Sequence, residues 1–254
     1  MKIGGYLPTS LIEWPGKLSA IIWTIGCNFR CPFCHNKDLV KISKLKNQFP
    51  DKYQVLNSKL QVFKQKEILT DLKKRKDWID GLVISGGEPT IQSNLVDFCV
   101  RVKKIGLEIM LETNGSQPEM IKKLIKNNLV DFWAMDFKTV WENYFQVTGF
   151  KKIAEIKKSI NLILAFGKPL ELRTTIVPGI HDEKILLAMA RELRESFKSR
   201  LTNNDLRFAK PKWKWQNFQP KNTLDPAFEK IKPYSEGQIK KLKNLVFDIF
   251  PVVE

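Results

Sequence analysis

The sequence predicts an α/β fold, a partial (β/α)6 TIM-like barrel in a chain of 254 residues. Three observations carry this. Short runs rich in β-branched and aromatic residues recur along the chain. Longer segments with helical periodicity lie between them. Proline and glycine fall at the joins, where strands end and helices begin. Alternating strands and helices imply right-handed βαβ units and a parallel sheet, and six such units are too few to close an eight-fold barrel.

The first strand is expected at 18–24 (LSAIIWT), and the second at 81–85 (GLVIS). Others follow at 107–112 (LEIMLE), 130–136 (VDFWAMD) and 170–177 (LELRTTIV). A weaker sixth falls within 206–218, where Trp213 and Trp215 alternate with lysines. Helices are expected at 62–77, 94–105, 118–128, 151–166, 182–198 and 235–250. Pro118 suits a first helical turn, and His181-Asp182 offers a helix start after the Val177-Pro178-Gly179 strand end. Residues 37–61 are polar, Lys-rich and without a period, and read as an irregular connection. Residues 207–254 read as a C-terminal strand and helix, and the whole chain, 1–254, as one domain.

Composition is that of an ordinary globular protein, 43% hydrophobic and 28% charged. No apolar run approaches the roughly 18 residues a membrane span needs. The first residues lack the apolar stretch of a signal peptide, so a cytoplasmic protein is expected. The net charge of +16 is uneven: 37–76 contributes +8 and 207–243 contributes +7. Only eight of the 43 cations are arginine, so the charge is mostly point-like lysine rather than the forked guanidinium that reads phosphate. An acidic partner is permitted without being demanded, nucleic acid is open but not favoured, and solvated lysine is the plainer reading.

The chemistry lies in the cysteines. Cys27, Cys31 and Cys34 stand at C-x3-C-x2-C, just past the first strand, with Gly26 and Pro32 shaping the loop. A loop this short can wrap one small cubic cluster. A [4Fe–4S] cluster ordinarily takes four thiolates, so three leave one iron open to a ligand. A structural Cys3His zinc site with His35 is the alternative, with neighbouring ligands that chelate poorly at a tetrahedral centre. Cys99 follows the apolar face of a helix and reads as a small buried hydrophobe, which leaves no second cluster. His35 reads as a loop hydrogen-bonder and His181 as a helix-start residue.

Ser85-Gly86-Gly87-Glu88-Pro89 ends the second strand. C-x3-C-x2-C and this GGEP segment, at successive strand ends, resemble the signatures of radical S-adenosylmethionine (SAM) enzymes. The stretches Ser10–Lys17, Glu112–Gly115, Ala134–Lys138, Arg173–Gly179 and Asn222–Pro226 extend the resemblance over the whole chain. They are similar to the longer-form activating proteins of anaerobic ribonucleotide reductase, relatives of pyruvate formate-lyase activating enzyme.

The resemblance implies the radical SAM fold, with Cys27, Cys31 and Cys34 as cluster ligands and SAM on the fourth iron. It further implies Phe33 beside the adenine, and Gly86, Gly87 and Glu88 at the methionine ammonium. Thr113, Lys138 and Arg173 would complete the SAM site, the two cations near its carboxylate. Glu112, Thr113 and Asp136 match oxygen donors for a monovalent cation, although Glu112 stands where the pattern has Asp. One-electron reduction would cleave SAM to a 5′-deoxyadenosyl radical that abstracts hydrogen. The implied role is a glycyl-radical activase, partnered by a glycyl-radical reductase and an electron donor such as flavodoxin or ferredoxin, with no membrane. A radical enzyme acting on a small molecule, peptide or RNA is the alternative, and a non-catalytic iron–sulfur or zinc module a further one.

Overall fold

The computed structural model describes residues 1–41, 62–197 and 211–253. Its elements in chain order are β1 (Ile3–Ser10), β2 (Ser19–Thr24), α1 (Lys37–Lys41), α2 (Gln65–Arg75) and β3 (Gly81–Gly86). Next come α3 (Leu95–Ile105), β4 (Glu108–Thr113), α4 (Pro118–Lys126), β5 (Phe132–Asp136), α5 (Tyr144–Thr148) and α6 (Ile153–Phe166). The last are β6 (Leu170–Ile176), α7 (Glu183–Ser196), β7 (Lys212–Asn217), α8 (Glu236–Phe247) and β8 (Val252–Val253). They form two compact units, Met1–Asn28 with Asp38–Trp133, and Phe29–Lys37 with Ala134–Glu254.

In the first unit, β2 runs parallel to β3 from Ser19↔Gly81 to Thr24↔Gly86. β3 in turn runs parallel to β4 from Gly81↔Glu108 to Ile84↔Leu111. Their apolar residues are buried, the half-buried Trp23 excepted, as a parallel sheet requires. Helices α2, α3 and α4 bury Ile68 and Leu72, then Phe98, Cys99 and Val102, then Ile121 and Leu124, each set spaced along one helical stripe. Asp80 aligns the strand starts: its N–H donates to the Leu18 carbonyl at 2.7 Å, and its carboxylate accepts the Leu18 N–H at 2.8 Å.

β1 is an addition to the expected six strands. It lies antiparallel on β2. Gly4, Gly5 and Pro8 hide it in the sequence, since all three are depleted in strands. As an outer strand it tolerates Pro8. Gly5 is there for space: a Cβ would stand 2.8 Å from the Trp23 ring.

In the second unit, β6 runs parallel to β7 from Glu171↔Lys212 to Ile176↔Asn217, and β7 parallel to β8. The weak sixth strand is therefore real and begins at Lys212; residues 206–210 lie outside the described set. Trp213 and Trp215 are both buried, with ring centroids 5.3 Å apart. The Trp213 indole N–H donates to Thr174 Oγ1 at 2.8 Å. Helices α6, α7 and α8 contribute Ile160 and Ile163, Leu186 and Met189, and Leu242 and Val246 to the core. Asp182 caps α7 by accepting the Ile185 N–H, and Ser235 with Gln238 forms a capping box on α8.

The expected irregular connection at 37–61 opens with a short helix, α1; its remainder, 42–61, lies outside the described residues. Asp38 in that first turn suits a helix start. Among the described residues no helix is long and apolar enough to cross a membrane.

Candidate functional site

In the first unit, the ends of β2 and β3 are sewn together by hydrogen bonds to the backbone carbonyls of residues 24–26. Gly87 N–H donates to the Thr24 carbonyl at 2.8 Å, and Glu88 N–H to the Gly26 carbonyl at 2.7 Å. The Gln92 amide donates to the Ile25 carbonyl at 2.8 Å. This closeness is why both positions are glycine. Gly86 has φ +109°, and a Cβ on Gly87 would stand 2.0 Å from the Gly26 carbonyl oxygen.

The Glu88 carboxylate is buried and holds a web of donors. Its Oε1 accepts from the Thr90 N–H at 3.0 Å, from the Thr90 hydroxyl, and from the Thr113 hydroxyl at 2.7 Å. Its Oε2 accepts the Asn114 N–H at 2.7 Å. Burial raises the carboxyl above the ordinary range, opposed by these hydrogen bonds. Asn114 continues the web: its amide donates to Asn28 Oδ1 at 2.9 Å and to the Cys27 thiol at 3.9 Å. Beside it, the Ser85 hydroxyl donates to the Glu112 carboxylate.

In the second unit, Cys31 and Cys34 share a tight turn closed by the Cys34 N–H on the Cys31 carbonyl at 3.1 Å. The 221–228 segment clasps that turn. Asp225 N–H donates to the Pro32 carbonyl at 2.9 Å, the Asn222 amide to the His35 carbonyl at 3.1 Å, and Phe33 is buried against Phe228. Lys138, two residues past β5, pairs with Asp136 at 2.9 Å and lies within electrostatic reach of both thiols. Arg173 is buried with its Nε on Glu171 Oε1 at 2.6 Å.

Charge follows burial. Cys31 is pushed up to about 12 by burial, with Lys138 pulling the other way. Burial also raises Cys34, opposed by a backbone hydrogen bond at Asn36. For Lys138, burial alone would lower the ammonium; Asp136 and the two thiols outweigh it and hold it above the usual lysine value. Neither Lys138 nor Arg173 is a surface charge.

The sequence-marked residues thus fall into two groups. Cys27, Gly86, Gly87, Glu88, Glu112 and Thr113 belong to the first unit; Cys31, Phe33, Cys34, Asp136, Lys138 and Arg173 belong to the second. None of the three cysteines is in a disulfide. Among the described residues no group of three or more His, Cys, Asp or Glu side chains is arranged to hold a metal ion. A cubic cluster makes a different demand, because each thiolate takes its own iron atom rather than a shared one. The sequence supplies three soft thiols within eight residues for such a cluster, Cys27, Cys31 and Cys34.

Three residues escaped the motif reading. Asn28 and Asn114 frame Cys27; the first lies within the cysteine motif and the second within Glu112–Gly115. His181 is not merely a helix start: it is fully buried, and Asp182 does the capping. Its signal was only its place after a strand end.

A family model for the radical SAM superfamily matches residues 21–191. A Methanocaldococcus jannaschii protein with the provisional name of a glycyl-radical enzyme activating enzyme is 32% identical over 251 residues, 96% of this chain and 90% of its own. The pyruvate formate-lyase-activating enzyme of Streptococcus mutans is 23% identical over 245 residues, 92% of this chain and 86% of that one. Among solved structures, Streptococcus suis SuiB bound to S-adenosylmethionine superposes with a TM-score of 0.60 at 16% identity. The match covers 90% of this chain and 46% of that structure, so it carries the fold alone. Enzymes of this superfamily use a [4Fe–4S] cluster and SAM. The chain belongs to the radical SAM superfamily and, within it, to the glycyl-radical activating type.

Proposed function

We propose that this enzyme is an activase that abstracts hydrogen from a backbone glycine of a partner glycyl-radical enzyme, an anaerobic ribonucleotide reductase. The observation that carries the site is the Cys31–Cys34 turn with the Lys138–Asp136 pair beside it. Cys27, Cys31 and Cys34 would hold the cluster; bound with SAM and given one electron, it supplies a 5′-deoxyadenosyl radical.

The chain's own residues do the rest. Cys31 and Cys34 lose their protons to load the cluster, a step that burial opposes and the Lys138 ammonium assists. Lys138 and Arg173 offer cations to the SAM carboxylate, each kept in place by a carboxylate partner. Gly86 and Gly87 expose backbone for the methionine end, and Glu88 fixes their path. Phe33, buried in its turn, offers an aromatic surface for the adenine.

Anaerobic reconstitution with iron and sulfide, then SAM and a strong reductant, tests the chemistry. Visible absorption from the cluster and release of 5′-deoxyadenosine are expected, and Cys31→Ala should abolish both. Undiminished release in that variant would overturn the ligand assignment. Incubation with a purified anaerobic reductase should raise a glycyl-radical signal by electron paramagnetic resonance. SAM cleavage without that signal would move the enzyme to the small-molecule, peptide or RNA class.

A further inference from the structure

Lys138 stands beyond the last residue of β5, where regular strand pairing has stopped. Its backbone is nevertheless held on both sides. Its N–H donates to the Tyr144 hydroxyl at 3.4 Å, and its carbonyl faces His181 Nε2 at 2.8 Å. The other ring nitrogen settles who donates. Val177 N–H donates to His181 Nδ1 at 3.0 Å, and a nitrogen that accepts carries no proton. The proton of the neutral ring is therefore on Nε2, which donates to the Lys138 carbonyl. Burial lowers this imidazole to about 4, so the ring stays neutral under ordinary conditions.

The backbone that carries the ring is itself held in place. His181 N–H donates to the Val177 carbonyl at 2.9 Å, and its own carbonyl accepts the Tyr234 hydroxyl at 2.9 Å. A buried side chain here takes over where the ladder ends and ties the Lys138 carbonyl to the Val177 strand end.

We propose that His181 is a positioning residue: its Nε2–H fixes the Lys138 backbone, and through it the Lys138–Asp136 pair beside Cys31 and Cys34. The proposal rests on the reading of that turn as part of the SAM and cluster site. Among the described residues the His181 ring bonds to backbone on both sides, the Val177 N–H and the Lys138 carbonyl, so it acts through the Lys138 backbone.

Two substitutions separate the ring's two bonds. His181→Asn keeps an acceptor near the Nδ1 position for Val177 and has nothing at Nε2. His181→Gln reaches the Nε2 position with an amide donor. Reconstituted wild type and both variants are compared for iron content, thermal stability and equilibrium binding of SAM without reductant. Unchanged iron content is expected in all three. SAM affinity is expected to fall about tenfold in His181→Asn, and to stay within about threefold of wild type in His181→Gln, the range seen when a residue supports a ligand from behind. Equal affinity in wild type and His181→Asn overturns the proposal, as does an equal loss in both variants. Wild type that loads iron and binds no SAM overturns the site reading instead. Should His181→Asn fail to fold, His181→Gln decides alone: a tenfold loss overturns the proposal and retained affinity supports it.

Discussion

Glu88 Oε2 accepts the backbone N–H of Asn114 at 2.7 Å, joining the end of β3 to the end of β4 through one buried carboxylate. The same carboxylate takes three further donors from Thr90 and Thr113. It works first as an internal brace for the GGEP segment.

Replacing Glu88 with Gln tests the brace. An amide has one acceptor where the carboxylate has two, so either the Asn114 N–H or the Thr90 and Thr113 donors would face an N–H. A buried donor left without an acceptor costs about 1–3 kcal/mol. Chemical denaturation of Glu88→Gln should show a loss in that range. A loss under about 0.5 kcal/mol would mean the web rearranges freely.

Gly87→Ala should be far worse. The new Cβ would stand 2.0 Å from the Gly26 carbonyl oxygen, and backbone on both sides cannot move aside cheaply. Reconstitution of this variant is expected to give little or no cluster absorption, because Gly26 immediately precedes Cys27. Full iron incorporation would show that the loop has slack the contact denies.

Cys99→Ala should separate structure from chemistry. Cys99 is fully buried on α3, and burial pushes its thiol up to about 12, so it stays a protonated core group. Iron content and SAM cleavage are expected to match wild type, with stability lower by about 1 kcal/mol from the lost packing. Reduced iron content would make it a participant in cluster loading.

His181 makes a pH signature. Below pH 6.5 an unfolded chain's imidazole takes up a proton that the folded one refuses until about pH 4. Stability from this residue is therefore complete above pH 6.5 and is lost as pH falls towards 4, at up to about 1.4 kcal/mol per pH unit. Denaturation of wild type and His181→Gln across that window should show the extra slope in wild type alone. Parallel curves would mean that the ring is more exposed to protons than its burial implies.

Much of this was legible in the sequence, for identifiable reasons. Strands such as Gly81–Gly86 announce themselves because burial in a parallel sheet demands continuous apolar residues. The cysteine and GGEP segments are legible because short-range spacing survives any packing. β1 was hidden by glycine chosen for space under Trp23, a reason that exists only in three dimensions. The partners of Glu88 were equally hidden, since Thr113 and Asn114 reach it only through the sheet. His181 shows the limit best. One histidine after a strand end reads as a turn residue, and only burial with both nitrogens bonded separates it from one.

The backbone stitching of Gly87 to Thr24 and of Glu88 to Gly26 gives a loop the bonding of a strand. In solution these two amides should exchange their hydrogens with deuterated water as slowly as those inside β2 and β3, and far more slowly than ordinary loop amides. Such protection in the metal-free protein would mean that this wall of the proposed cofactor site exists before any iron arrives, so that loading costs little ordering of the chain there.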